Sequence, residues 1–170
     1  MKISTRQLAL CAVLTALALG LSTLENLFPV TLVIPLPGVK LGLANIVTVF
    51  ALYQLGPLPA LCILAARCLL GSLFAGNASA LLFSLLGGTL AMLVMLALSR
   101  LPGLSVYGVP IGGAAGHNIG QMAAALITLG NTAVLGYLPF LLVVSLFTGA
   151  LTGFVSALLL RAISHVKLSH

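Results

Sequence analysis

The sequence predicts an all-α integral membrane protein: six transmembrane helices in one domain, residues 1–170. Three observations predict it. Only 5% of the residues are charged and 61% are hydrophobic, whereas a soluble domain is about a quarter charged. Residues 41–66, 68–99 and 101–160 contain no Asp, Glu, Lys or Arg, and roughly 20 apolar residues span a bilayer as a helix. These runs lack the alternating segments of about 10 residues that mark a membrane β-barrel.

The elements follow in order. Met1–Gln7 is a short head carrying Lys2 and Arg6. The apolar run 8–24 is the first helix. It is long for a signal-peptide core, and no small-x-small cleavage pattern ends it. Ala12, Ala16 and Gly20 recur every four residues along it, which puts small residues on one helix face. Such a face admits close approach of another helix, although alanine is common throughout the chain. Residues 25–40 form the longest irregular segment, with Pro29, Pro35 and Pro37.

A second helix spans 41–55. At 1.5 Å per residue it reaches only about 22 Å, short of the ~30 Å hydrocarbon core, so either its outer end is recessed or neighbouring backbone is buried in protein. Gly56-Pro57-Leu58-Pro59 reads as a turn. Further helices are expected at 60–74, 80–99, 111–129 and 137–163. Turns at Gly76–Ser79 and Gly130–Gly136 and a loop at Arg100–Pro110 separate them. Six spans put both termini on one side, together with Lys2, Arg6, Arg100, Arg161 and Lys167. The positive-inside rule makes that side cytoplasmic, in a bacterial inner membrane. The net charge of +6 is therefore read as topology and not as nucleic-acid binding.

Polar residues inside the apolar segments mark candidate sites, because intramembrane ionisable groups are costly. Arg67 has apolar flanks on both sides. Its guanidinium stays protonated, so it needs a carboxylate, carbonyls, the interface or a ligand. The chain's only carboxylate is Glu25. Lys40 stands just before the second helix, where a cation opposes the helix dipole. Asn45 lies one turn into that helix. His117 and Gln121, four apart, share a face of the fifth helix, with Asn118 beside them. The plain alternative for this polar set is interhelical hydrogen bonding. Asn77 is both a candidate ligand contact and a candidate helix cap. The segment with Glu25, Pro37 and Gly38 reads as a lid over the site.

Several chemistries are disfavoured. A single carboxylate cannot hold the Mg²⁺ that a prenyltransferase or phosphatase requires. The chain has no P-loop and no Asp for a Ser/His/Asp set. Cys11, Cys62 and Cys68 lack metal spacing and read as small packing residues. No cofactor, metal or catalytic residue is expected, and the chain is not expected to be an enzyme.

Three ordered stretches carry a family resemblance. They are Pro37-Gly38-Val39-Lys40-Leu41-Gly42-Leu43-Ala44-Asn45-Ile46-Val47, Arg67-Cys68-Leu69-Leu70-Gly71-Ser72-Leu73-Phe74-Ala75-Gly76 and Gly116-His117-Asn118-Ile119-Gly120-Gln121. Nearly the whole chain resembles the Gx transporter family, whose members are often labelled heptaprenyl diphosphate synthase component I. That family is similar to the substrate-binding S components of energy-coupling factor (ECF) transporters. The resemblance implies a six-helix bundle with a ligand cavity under an outer loop and cytoplasmic termini. It also implies docking of a transmembrane T subunit on a small-residue face of helix one, here Ala12, Ala16 and Gly20, with ATPase subunits driving import.

The expected function is a membrane-embedded substrate-binding subunit. Its ligand is a small anionic or carbonyl-bearing metabolite, with isoprenoid-, quinone- and flavin-related compounds in view. Lys40, Asn45, Arg67, Asn77, His117, Asn118 and Gln121 are its expected contacts. Membrane lipid surrounds the protein, and nucleic acid is not an expected partner. Two alternatives stay open. One is a non-catalytic membrane subunit assisting a polyprenyl diphosphate synthase or an extracellular electron transfer system. The other is a stand-alone channel or facilitator.

Overall fold

Glycine and proline decide where the helices of this chain stop and start. The computed structural model describes residues 4–27, 42–105 and 107–163. It contains six α-helices: α1 Thr5–Leu27, α2 Leu43–Gln54, α3 Pro57–Ala75, α4 Ala78–Leu98, α5 Gly108–Leu129 and α6 Leu138–Ile163. A 3-10 helix, Thr132–Tyr137, leads into α6. Gly76 and Gly130 end α3 and α5 in the left-handed conformation, which glycine adopts without strain.

Each α-helix lies within a few residues of its expected position, with three corrections. First, α1 runs on to Leu27, so Glu25 belongs to its last turn and not to the irregular segment. Nothing between Gly20 and Pro29 breaks the helix. Second, α3 starts at Pro57, within the expected turn, because a proline in the first turn lacks only an N–H that would have no partner there. Third, α5 starts at Gly108, ahead of residue 111, and takes Pro110 into its first turn for the same reason.

Among the described residues, four segments are long and apolar enough to cross a membrane: Thr5–Glu25, Pro57–Ala75, Ala78–Leu98 and Thr132–Ala162. The 12 residues of α2 reach only about 18 Å. The 22 residues of α5 are long enough, but its ten glycines and alanines, together with His117, Asn118 and Gln121, lower its hydropathy.

Helix contacts close a ring in the order α2, α3, α4, α5, α6 and back to α2, and α1 lies outside it against α2 and α3. Missing side chains draw the ring tight. A methyl on Gly120 would run into the backbone of α4 at Leu86 and Gly87, 2.8 Å from the Gly87 Cα. On the other flank, a methyl on Gly153 would lie 2.9 Å from the Tyr107 carbonyl oxygen. So α5 is held backbone-to-backbone between its two neighbours, as small residues allow in a membrane bundle.

The ring interior has two halves. Val49 and Phe50 of α2, Ile63 and Leu64 of α3, and Met92 and Met95 of α4 form a dry core with Leu14 and Ala18 of α1. The other half is polar. The boundary lies where α2 begins. Its N-cap, Gly42, sits beside Thr152, with a hypothetical methyl 3.6 Å from the Thr152 Oγ1. Thr152 is near the middle of α6, so α2 starts at about half the depth of the bundle. The recessed end expected from its short length is therefore present.

Candidate functional site

A polar side chain inside a hydrocarbon bundle must find a partner or cost several kcal/mol. Here the partners form a chain around the start of α2. Glu25, 7% exposed, accepts a hydrogen bond from the Gly42 N–H at 2.7 Å. The Gly42 carbonyl accepts from the Asn45 N–H at 2.8 Å. The Asn45 Oδ1 in turn accepts from the Arg67 Nη2 at 3.1 Å. The chain's only carboxylate thus sits at a helix N-terminus, where unpaired N–H groups and the dipole favour negative charge. Gly42 can close this link because it holds φ +79°, a conformation costly to any residue with a Cβ.

Two polar cavities meet at this point. One is bordered by Ser22 and Glu25 of α1, Ala44 of α2, Arg67 of α3, Ser84 of α4 and Gln121 of α5. The other lies between Val49, Met95, Pro110, Asn118, Thr148 and Thr152. Gly42, Asn45 and His117 line both. Gly87 makes room for the polar face of α5, since a methyl there would lie 2.9 Å from the His117 ring and 3.1 Å from the Gln121 Cγ.

Among the described residues, Arg67 and Gln121 of the first cavity each bury a polar atom that has no hydrogen-bond partner: Arg67 Nε and Gln121 Oε1. One is an N–H donor and the other a carbonyl acceptor. Beyond Gln121 lies a third, apolar cavity, which Gln121 also lines with Phe83, Met122, Ala125, Tyr137 and Leu141.

The structure brings together Glu25, Asn45, Arg67, His117, Asn118 and Gln121, all expected from the sequence. It gives Asn118 a second task, because its Nδ2 donates to the Leu141 carbonyl at 2.8 Å and ties α5 to α6. Asn77 takes the helix-cap place that was one of its two expected roles. It is exposed, its Oδ1 accepts from the Ser79 N–H at 2.8 Å, and it lines neither polar cavity. Lys40, Pro37 and Gly38 lie outside the described residues. Ala12, Ala16 and Gly20 are exposed on α1, with nothing within 4 Å of a methyl on Gly20.

Four polar lining residues were not expected: Ser22, Ser84, Thr148 and Thr152. Spacing held a signal for three of them. Ser22 is one turn before Glu25, and Thr148 and Thr152 are four apart on α6. No group of His, Cys, Asp and Glu that could hold a metal occurs among the described residues.

An apolar helical ring with a partly unsatisfied polar interior defines a multi-pass membrane protein. The chain belongs to the heptaprenyl diphosphate synthase component I family, whose model matches residues 14–159. No curated protein and no solved structure matches it.

Proposed function

We propose that this protein is the membrane-embedded substrate-binding subunit of an ECF-type importer. It captures a small molecule bearing a carbonyl or anionic acceptor. The observation that carries this reading is that Arg67 and Gln121, which line one polar cavity inside an apolar ring, each bury a polar atom without a hydrogen-bond partner, Arg67 Nε and Gln121 Oε1. A purely structural arginine would have its donors satisfied by the protein, since an unmatched buried donor costs about 1–3 kcal/mol. A ligand acceptor offsets that cost.

In this reading Arg67 and Asn45 hold the acceptor, and His117 and Gln121 orient the polar edge. Asn118 lines the second cavity from its α6 tether, and the adjoining apolar cavity takes the hydrocarbon body. Lys40 adds a cation at the cavity rim. The protein lies in a bacterial inner membrane with six spans and both termini in the cytoplasm. It performs no chemistry itself. Translocation is driven by partner ATPase subunits through a T subunit that docks on Ala12, Ala16 and Gly20. The exposure of that face supports its availability.

The test is uptake and binding with the same variant. Arg67→Ala is expected to abolish metabolite-dependent thermal stabilisation of the protein in lipid nanodiscs and to reduce uptake in cells. A purified protein that binds no metabolite, together with unchanged uptake by Arg67→Ala, sinks the reading. The family description "component I" supports a second reading, a non-catalytic membrane subunit that assists a polyprenyl diphosphate synthase. Affinity purification separates the two. Co-purifying ATPase subunits favour import, and a co-purifying soluble prenyl synthase favours the second reading.

A further inference from the structure

We propose that a groove at one end of the bundle binds the phosphate of an anionic phospholipid, with Arg161 as its cation. The proposal rests on the membrane placement of the helices and is independent of the small-molecule reading above. Position, charge and donor chemistry carry it.

The groove lies between the last turn of α2, the end of α4, the α4–α5 loop and the last turns of α6, and its polar lining is Tyr53, Ser99, Ser105, Tyr107 and Arg161. Gly42 is at the other end of α2, so the groove is separate from both polar cavities. Two apolar spans, Ala78–Leu98 and Thr132–Ala162, finish beside it. That boundary is the level of lipid headgroups, where tyrosine rings and long basic side chains are favoured. Leu104 and Leu160 line the same groove and offer apolar contact to the first carbons of an acyl chain.

Charge selects the headgroup. The chain's only Asp or Glu is Glu25, held by the Gly42 N–H at the opposite end of α2. Arg100 directly follows Ser99. Arg6 stands in the first turn of α1, whose last turn meets the start of α2, so α1 begins at the groove end. This end therefore carries guanidinium groups and no acidic side chain. A zwitterionic headgroup would bring an ammonium with no carboxylate to pair with, whereas an anionic headgroup brings only the matching sign. The end of α4 opposes an anion weakly, because the N–H groups of Ser99, Arg100 and Leu101 already donate to its Met95, Ala97 and Leu98 carbonyls.

Donor chemistry agrees. The Ser105 Oγ accepts from the Tyr107 N–H at 3.3 Å, and its own O–H has no acceptor among the described residues. Tyr53 and Tyr107 are 37% and 41% exposed, and their phenol O–H groups likewise donate to no described residue. Ser99 is already used, since its Oγ donates to the Leu96 carbonyl at 2.9 Å. A guanidinium with hydroxyl donors around it suits a phosphate diester, which carries negative charge and acceptors only.

The experiment titrates dioctanoyl phosphatidylglycerol, dioctanoyl phosphatidylcholine and glycerol phosphate onto the full-length protein in a neutral detergent. Binding is read by native mass spectrometry and thermal stabilisation. Phosphatidylglycerol is expected to bind about tenfold more tightly than phosphatidylcholine. Arg161→Gln is expected to weaken phosphatidylglycerol binding about tenfold and to erase the preference, and Arg100→Gln to leave both nearly intact. The double variant Tyr53→Phe, Tyr107→Phe keeps both rings and is expected to lose about threefold. It keeps the test decisive if Arg161→Gln fails to fold.

Phosphatidylcholine binding as well as phosphatidylglycerol overturns the proposal, as does no binding of either. Equal losses in Arg161→Gln and Arg100→Gln would mean diffuse surface charge and no groove site. Glycerol phosphate displacing the lipid at equal concentration would make this a site for free phosphate esters and overturn the lipid assignment.

Discussion

Arg67 of α3 reaches Asn45 of α2, and not the chain's only carboxylate: its Nη2 donates to the Asn45 Oδ1 at 3.1 Å. Glu25 is committed to the Gly42 N–H at the start of the same helix. The two opposite charges therefore border one cavity without neutralising each other directly. An amide and a helix N-terminus stand between them.

Asn45→Leu removes the partner of a buried guanidinium. A hydrogen bond to a charged group contributes about 1.5–3 kcal/mol, and a loss of that size is expected in the free energy of unfolding. Asn45→Asp restores an acceptor and should recover most of it. Thermal melts of the three proteins in one detergent check the point. Equal melting of Asn45→Asp and Asn45→Leu would show that Arg67 does not depend on this contact.

Glu25→Ala leaves the Gly42 N–H without its acceptor and removes negative charge from the α2 N-terminus. The expected cost is about 1–3 kcal/mol. Glu25→Gln keeps an acceptor and should lose less than half as much. Gly42→Ala tests the same joint from the backbone side. Its φ of +79° makes a Cβ cost about 1–2 kcal/mol. Hydrogen exchange of the first α2 amides should rise in Glu25→Ala and Gly42→Ala alike, and unchanged protection in both would refute the joint.

Gly120→Ala and Gly20→Ala make a matched pair. The first puts a methyl against the α4 backbone, and the second puts one into open space. Overpacking of a tight site costs about 1–3 kcal/mol, whereas an exposed change stays within about 0.5 kcal/mol. The melting temperature of Gly120→Ala should fall well below that of Gly20→Ala. If it does not, α4 and α5 can separate at little cost.

Gly20→Leu and Ala16→Leu on α1 are expected to leave the melting temperature and the binding of metabolite unchanged while lowering uptake and co-purification of partner subunits. Wild-type uptake by both variants would remove this face as a docking surface.

The helices were legible because lipid imposes a simple rule. Every backbone polar group must be satisfied within its own segment, so long apolar runs become helices and Gly or Pro breaks them. The run 68–99 and the doublet Gly130-Asn131 announce α4 and the end of α5 with no tertiary information. The recess of α2 was legible too, from its length alone. Polar residues in apolar surroundings likewise pointed to Asn45, Arg67, His117 and Gln121 before any contact was known. Their rarity against hydrocarbon makes each one conspicuous.

Tertiary structure decided the rest. Sequence offers Glu25 and Arg67 as an obvious pair of opposite charges. Only the packing of α1 against α2 gives Glu25 to Gly42 and leaves Arg67 to Asn45, because hydrogen-bond partners depend on distances between segments that no local pattern encodes. Asn77 shows the same limit in reverse. Its residue type fits a site or a cap equally, and its position at the start of α4 makes it a cap. Composition and periodicity by themselves determined an apolar helical protein with a small polar interior. Packing decided which polar atoms found partners in the protein and which, such as Arg67 Nε and Gln121 Oε1, were buried without one.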